Sequence, residues 1–129
     1  MKLKIGIFGG SGYGGSELLR ILLQHPNANI CFVTANEHAG KAVSEVHKNL
    51  LGLTDLKFLK ADEAGDLRGL DCVFLALPHG QAMEIAPKLP KNVKVIDLSG
   101  DFRLTDADVF AKHYGLEHSA MAAQSQFVY

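Results

Sequence analysis

The stretch Leu3–Gly15, LKIGIFGGSGYGG, decides the fold of this chain of 129 residues. Its first half, Leu3–Phe8, is a short run rich in β-branched and aromatic residues, which predicts a buried strand. From Gly15 the chain reads GSELLRILLQH, with leucines at i and i+4 on one apolar face, which predicts a helix. The helix is expected to end at His25–Asn27, since proline disfavours helical geometry in the residue before it.

Glycines join the predicted strand to the predicted helix, and their spacing fits two frames. Gly10, Gly12 and Gly15 form G-x-G-x-x-G, whereas Gly9, Gly12 and Gly15 form G-x-x-G-x-x-G. Either frame allows a tight turn, close approach of the backbone to a pyrophosphate, and close helix–strand packing. The helix N-terminus would offer free N–H groups to the phosphates. The predicted cofactor-binding residues of this loop are Gly9, Gly10, Ser11, Gly12, Tyr13, Gly14 and Gly15. The alternative is a structural turn with surplus glycine.

Three further apolar runs predict strands at Ile30–Thr34, Cys72–Leu77 and Val93–Leu98. Their apolar character is continuous rather than alternating, which is typical of strands covered on both faces in a parallel sheet. A helix is expected over Gly80–Leu89, shortened or kinked by Pro87. Strand–helix alternation of this kind predicts an α/β fold, a Rossmann-type, doubly wound, mostly parallel sheet.

Other helices and a weak strand are expected in less regular parts of the chain. Between Glu37 and Gly69 the patterns are weaker. A helix is predicted within Ala42–Leu51, a weak strand at Leu56–Leu59 and a short helix at Asp62–Leu67. A last helix is expected to begin with Thr105 as its N-cap.

Composition excludes several classes of protein. The chain has 13 Lys and Arg against 14 Asp and Glu, a net charge of −1, and 47% hydrophobic residues. It therefore lacks the basic excess that binds nucleic acid, and wholesale disorder is excluded. Its apolar runs are far shorter than the roughly 20 residues of a membrane helix. We expect one domain spanning residues 1–129 and a soluble, reduced, cytoplasmic protein.

Metal binding and nucleophilic catalysis by the chain's own residues are not predicted. His113 and His118 are five residues apart, and no Cys or carboxylate cluster accompanies them at zinc spacing. The two cysteines, Cys31 and Cys72, lie in predicted strands and are expected to be buried and inert. No nucleophile elbow is present.

The end of the second predicted strand favours NADP over NAD. Sites for NAD usually place Asp or Glu there, about 20 residues after the loop, to bind the ribose 2′-hydroxyl. Here the strand ends at Thr34 and is followed by Ala and Asn, and Glu37 comes slightly late. His38 and Lys41 lie nearby. We therefore predict NADP as the cofactor, with Thr34 and Lys41 among its ligands, although either His38 or Lys41 alone could be ordinary solvated surface.

Two more segments carry a family resemblance. ALPHG at Ala76–Gly80 and DLSGDFR at Asp97–Arg103 follow the third and fourth predicted strands. Together with GGSGYGGSEL, they make the whole chain resemble the N-terminal part of the N-acetyl-γ-glutamyl-phosphate reductases of arginine biosynthesis. That family commonly has Ala where Gly100 stands. Its members reduce an acyl phosphate to an aldehyde with NADPH, through a cysteine thiolate and an acid–base histidine.

The resemblance implies roles for the strand-end residues. Leu77, Pro78 and His79 are expected to line the cofactor, although His79 could instead be a polar residue at a helix start with no chemical role. Ser99 is expected to bond the nicotinamide end of the cofactor or the substrate. Arg103 could bind the substrate's carboxylate or phosphate, or pair with Asp101. These are expectations from the family's motifs.

The family's catalytic cysteine and histidine fall beyond Tyr129, so no catalytic residue is assigned in this chain. We expect a nucleotide-binding domain without its catalytic second domain, inactive alone. Its partners would be NADPH and, through the absent domain, N-acetyl-γ-glutamyl phosphate. The full-length protein is expected to be a homo-oligomer. Alternatives are the same domain of an aminoadipyl-phosphate reductase or an aspartate-semialdehyde dehydrogenase, a stand-alone dinucleotide-binding regulatory module, and a purely structural domain.

Overall fold

The computed structural model describes residues 2–78 and 80–99. The predicted sites His79 and Arg103, and the helix expected from Thr105, lie outside this part. The regular elements are β1 Leu3–Phe8, α1 Tyr13–Leu23, β2 Ala28–Val33, α2 Val43–Val46, β3 Cys72–Leu75, α3 Ala82–Ile85 and β4 Lys94–Asp97. Three short 3₁₀ turns accompany them, at Lys48–Leu50, Ala61–Glu63 and Ala86–Lys88.

The described strands form one parallel sheet in the order β2-β1-β3-β4. The chain leaves β1 toward β2 on one side and later returns to β3 on the other side of β1. This arrangement confirms the predicted α/β, Rossmann-type sheet. Because the order reverses between β1 and β3, their carboxyl ends border a crevice in which such sheets bind their ligands.

Two apolar clusters cover the two faces of the sheet. On one face Ile5 and Ile7 of β1 pack with Leu19 of α1, and on the other Phe8 packs with Met83 of α3. Alternate residues of β1 thus face opposite layers, as the two-residue period of a strand requires. The result is a three-layer core with the sheet in the middle.

The middle of the chain is less regular than predicted. The weak strand expected at Leu56–Leu59 is present only as two isolated bridges, Leu59 with Thr34 and Lys57 with Ala42. Phe58, between them, is fully buried. The segment therefore closes over the edge of β2 without adding a strand to the sheet.

The helices predicted between Ala42 and Leu89 are shorter than expected. The helix expected within Ala42–Leu51 is split into α2 and a 3₁₀ turn, and the one expected at Asp62–Leu67 is reduced to the 3₁₀ turn Ala61–Glu63. The helix expected over Gly80–Leu89 likewise divides into α3 and a 3₁₀ turn that contains Pro87. The last division has the expected cause, since proline lacks the N–H that would continue the α-helix.

The prediction that both cysteines are buried is wrong for Cys31, which is exposed. On the β1–β2 ladder Ile5 pairs with Ile30 and Gly6 pairs with Phe32, so Cys31 is the skipped residue of a bulge. A bulge re-aims its extra residue, and this one faces solvent. Cys72 is half-buried, and this partial burial raises the pKa of its thiol. A raised pKa means less thiolate at neutral pH and a less reactive group.

The first turn of α1 packs directly on the backbone of the loop that follows β1. A Cβ added to Gly15 would come within 2.5 Å of the carbonyl carbon and oxygen of Gly10. Main-chain atoms in this position cannot move aside as the end of a side chain can. In contrast, a Cβ on Gly14 would meet no atom within 4 Å.

We therefore expect Gly15→Ala to lower the free energy of unfolding by about 1–3 kcal/mol, the usual cost of overpacking. Gly14→Ala, in the same helical turn, is the matched control and should leave stability unchanged or raise it by up to about 1 kcal/mol. Chemical denaturation followed by circular dichroism measures both. Equal stability of the two variants would contradict the close contact between α1 and β1.

Candidate functional site

The loop after β1 touches the ends of both neighbouring strands. Gly9 has a φ of +86°, and a Cβ there would lie 2.7 Å from the carbonyl oxygen of Ala76, just after β3. Its N–H donates to the side-chain oxygen of Thr34, just after β2, at 3.1 Å. Both the left-handed backbone and the close approach require glycine here. Gly9 thus ties together three strand ends at the crevice.

Gly10 is held from several directions. Its N–H donates to the carbonyl oxygen of Thr34 at 2.8 Å, and its own carbonyl oxygen lies 2.7 Å from Nε2 of His47. A Cβ on Gly10 would come within 2.2 Å of Val33. Gly10 is therefore fixed by the packing of the chain itself.

Gly12, like Gly14, has open space in front of it. A Cβ at either position would meet no atom of the described residues within 4 Å. Gly12 is the N-cap of α1, which has neither a side-chain cap nor an acidic residue in its first turn. The first N–H groups of a helix lack intrahelical acceptors and attract anions. The loop thus combines room beside its backbone with donors that suit a phosphate.

The crevice has two lobes, one on each side of this loop. The β2-side lobe, of about 750 Å³, extends to residues 34–38 after β2 and to Gln81, Glu84, Ile85 and Lys88 around α3. The β4-side lobe, of about 350 Å³, extends to Ala76 and Leu98. Gly9, Ser11, Leu77 and Pro78 line both lobes. A crevice divided by a glycine loop suits a dinucleotide, with one mononucleotide on each side and the pyrophosphate between them.

Most of the predicted loop and strand-end residues meet at this crevice. Thr34 lines the β2-side lobe and is buried. Lys41 does not line either lobe, and its carbonyl oxygen accepts a hydrogen bond from the N–H of Phe58. Tyr13 lines neither lobe and its exposed fraction is 96%.

Ser99 lies just past the end of β4 and is buried. Its N–H and its hydroxyl donate to the two carboxylate oxygens of Asp97 at 2.9 and 3.0 Å. The pair closes the turn after β4 beside Leu98, which lines the β4-side lobe. Ser99 therefore shapes the rim of that lobe.

The β2-side lobe carries charges of both signs. Glu37 and His38 come from the segment after β2, and Glu84 and Lys88 from the opposite wall. Nδ1 of His38 is buried and has no hydrogen-bond partner among the described residues. An unpaired buried nitrogen is costly, so its partner has to come from outside the described residues.

The cysteines are remote from this crevice. Cys72 is the first residue of β3, at the end of the strand opposite the crevice, and Cys31 lies on the exposed side of β2. Within residues 2–78 and 80–99, no group of three potential metal ligands is found. None of the helices described there has the length and apolar character needed to cross a membrane.

Two features of the site were missed from the sequence. His47 bonds the loop carbonyl of Gly10 although it lies 37 residues away in sequence, and no local pattern signals that contact. Glu84 and Lys88 line the β2-side lobe. Their i and i+4 spacing after a predicted strand end was a usable signal.

Comparison with known proteins places this geometry in a family. A family model described as the semialdehyde dehydrogenase NAD-binding domain matches residues 4–127. The N-acetyl-γ-glutamyl-phosphate reductase of Methanothrix thermoacetophila is 52% identical over 119 residues, which are 92% of this chain and 35% of that protein. The chain thus spans about a third of the length of this relative.

Two solved structures share the fold. The aspartate semialdehyde dehydrogenase with NADP from Candida albicans has a TM-score of 0.60 at 19% identity, over 83% of this chain and 32% of that one. A semialdehyde dehydrogenase NAD-binding protein from Cupriavidus necator, in complex with calcium and NAD, has a TM-score of 0.52 at 30% identity, over 88% and 37%. With the family model matching nearly its whole length, the chain belongs to the semialdehyde dehydrogenase NAD-binding domain family, which confirms the resemblance seen in its motifs and makes it an NAD(P)-binding domain.

Proposed function

We propose that residues 1–129 are the NADP-binding domain of an N-acetyl-γ-glutamyl-phosphate reductase. The 52% identity to the Methanothrix thermoacetophila reductase carries this proposal for the substrate. The two-lobed crevice divided by the glycine loop supports the binding of a dinucleotide. The cofactor supplies hydride for the reduction of an acyl phosphate to an aldehyde.

The residues of the loop fit the pyrophosphate. Gly12 leaves the space beside the backbone open, and the first turn of α1 presents N–H groups beside it. Gly9 and Thr34 keep the loop against the strand ends through the bond from the Gly9 N–H to the Thr34 hydroxyl. These residues bind and orient the cofactor.

The preference for NADP is argued from the β2-side lobe. An imidazole N–H can donate to a phosphate oxygen, so His38 would bind the 2′-phosphate. Lys88 would contribute a positive charge from the opposite wall. Glu37 lines the same lobe, and its carboxylate would repel a 2′-phosphate or, in an NAD site, accept a hydrogen bond from the ribose. The contact of Lys41 with the 2′-phosphate remains a prediction, because Lys41 does not line the β2-side lobe.

The chain would bind the cofactor without catalysing the reaction. The thioester chemistry of the reductases needs a thiolate next to the bound nicotinamide. Cys72 and Cys31 are remote from the crevice, and burial raises the pKa of the Cys72 thiol. We therefore expect the nucleophile and the residues that bind the substrate to lie outside this sequence, and the full-length protein to be a homo-oligomer. Ser99 and Arg103 are proposed to act where that part meets the cofactor.

We expect the chain to bind NADPH at least about tenfold more tightly than NADH, a difference equivalent to about 1.4 kcal/mol. Isothermal titration calorimetry of the 129-residue chain with each cofactor measures both dissociation constants. Circular dichroism of the same sample confirms that the chain is folded. Tighter binding of NADH would contradict the assignment of NADP and leave the NAD(P)-binding family unaffected.

Glu37→Gln separates the two possible roles of this carboxylate. If a 2′-phosphate is bound in the β2-side lobe, removal of the negative charge should lower the Kd for NADPH by about threefold, in line with a partly screened charge pair. The Kd for NADH should hardly change. A substantial rise in the Kd for NADH would instead assign Glu37 to the ribose hydroxyl of an NAD site.

Gly12→Val tests the open space beside the loop. The Cβ position of Gly12 meets no atom of the described residues within 4 Å, so the free energy of unfolding should change by less than about 1 kcal/mol, the scale of an N-cap effect. The Kd for NADPH should rise at least about tenfold because the pyrophosphate loses its place beside the backbone.

Gly69→Val is the matched control for this variant. The Cβ position of Gly69 also meets no atom of the described residues within 4 Å, and Gly69 lines neither lobe. It should leave the Kd for NADPH unchanged. Unimpaired binding by folded Gly12→Val would overturn the assignment of the loop to the pyrophosphate.

A further inference from the structure

His47 lies beside the glycine loop, where it lines a third cavity with Ser11 and Gly12, in a setting that fixes its ring. It is the residue that ends α2 and is 8% exposed. Its ring packs edge-to-face against Phe58, with the centroids 6.1 Å apart and an angle of 77° between the planes. Its Nε2 lies 2.7 Å from the carbonyl oxygen of Gly10. Because a carbonyl oxygen can only accept, Nε2 must carry the hydrogen of this bond.

The backbone of Gly10 is held in one orientation by its neighbours. Its N–H is bound to the carbonyl oxygen of Thr34, Val33 fills the place of its absent Cβ, and Gly15 backs onto its carbonyl. The bond from His47 fixes the remaining polar atom, the carbonyl oxygen. The orientation of the peptide group between Gly10 and Ser11 is thereby determined.

That peptide group also contains the N–H of Ser11. The described chain has no cis peptide bond, and in a planar trans peptide the C=O and the N–H point in opposite directions. A carbonyl oxygen of Gly10 directed at His47 therefore directs the Ser11 N–H away from it. Ser11 lines both lobes of the crevice, and its N–H finds no acceptor among the described residues.

We propose that His47 is a positioning residue that holds the Gly10–Ser11 peptide so that the Ser11 N–H is presented to the pyrophosphate of the cofactor. This inference rests on the proposed binding of a dinucleotide at the loop. His47 lines neither of the two lobes, so its proposed action is through the main chain. If His47 only packed in the core beside Phe58, it would stabilise the whole domain and would not affect the binding of one part of the ligand more than another.

Three substitutions separate the hydrogen bond from the packing. In His47→Gln the side-chain amide can place an N–H near the position of Nε2. His47→Asn is too short for this, and His47→Leu removes the donor while keeping an apolar side chain. Two ligands separate the loop from the rest of the site. NADPH carries the pyrophosphate, whereas adenosine 2′-monophosphate has no phosphate at the 5′ position.

Calorimetry of the 129-residue chain should give a consistent pattern. The Kd for NADPH is expected to rise about tenfold in His47→Leu and His47→Asn, in line with the loss of a hydrogen bond to a charged group. It should stay within about threefold of the wild-type value in His47→Gln. The Kd for adenosine 2′-monophosphate, measured by competition or by NMR titration, should stay within about twofold in all three variants.

The amide signal of Ser11 provides a direct readout. In the wild-type chain, saturation with NADPH should shift the ¹H–¹⁵N signal of Ser11 downfield as its N–H begins to donate to a phosphate oxygen. His47→Leu at saturation should show a smaller shift, and His47→Gln should restore it. A purely structural role for His47 would alter stability without this selective change at Ser11.

Other outcomes would overturn the inference. Wild-type affinity for NADPH in folded His47→Leu would do so, as would an equal loss of affinity for both ligands. If His47→Leu does not fold, the comparison of His47→Gln with His47→Asn decides, and equal binding by these two contradicts the proposal. If the folded wild-type chain binds neither NADPH nor NADH, the proposed function fails and this inference fails with it. If the wild-type chain binds NADPH but the His47 variants depart from the expected pattern, only this inference fails.

Discussion

In the first turn of α1, Gly15 rests on the backbone of Gly10, with no room for a side chain between them. This contact holds the start of α1 against the loop that follows β1. The unpaired N–H groups of the first helical turn therefore border the crevice. β1 is also a central strand, with β2 and β3 on opposite sides. The position of the site thus follows from one backbone contact and the order of the strands.

The glycines of the loop are required for two different physical reasons. Gly9, Gly10 and Gly15 leave no space for a Cβ because other atoms of the chain already occupy it. At Gly12 the corresponding space is open. The two glycine frames read from the sequence are therefore not alternatives: Gly9 is needed for its positive φ and Gly10 for the approach of Val33. Gly12 and Gly14 are therefore the loop glycines that packing within the described chain does not require.

The sequence predicted the strands well, because all of them are apolar runs between glycine, proline or polar turns. The bounds of β1 were predicted correctly, whereas β2 begins two residues earlier than expected, since Ala28 and Asn29 pair with the start of β1. The exposure of Cys31 depends on the register between two strands, which the sequence of one strand does not contain. The position of the loop and strand-end residues at one crevice was predictable from the topology. The contact of His47 with the loop was not, because its partner is 37 residues away in sequence.

Two histidines of the same segment differ in what completes their hydrogen bonding. Nε2 of His47 is bound to a carbonyl oxygen of the chain's own loop, so this contact exists before any ligand arrives. Nδ1 of His38 is buried without a partner in the described chain. Leaving such a group unpaired costs about 1–3 kcal/mol, and a ligand that supplies the partner recovers part of that cost as affinity. His47 therefore completes its hydrogen bond within the chain. Under the proposed binding of NADP, His38 would complete its own only when the ligand is bound, which is where selectivity between two similar cofactors has to arise.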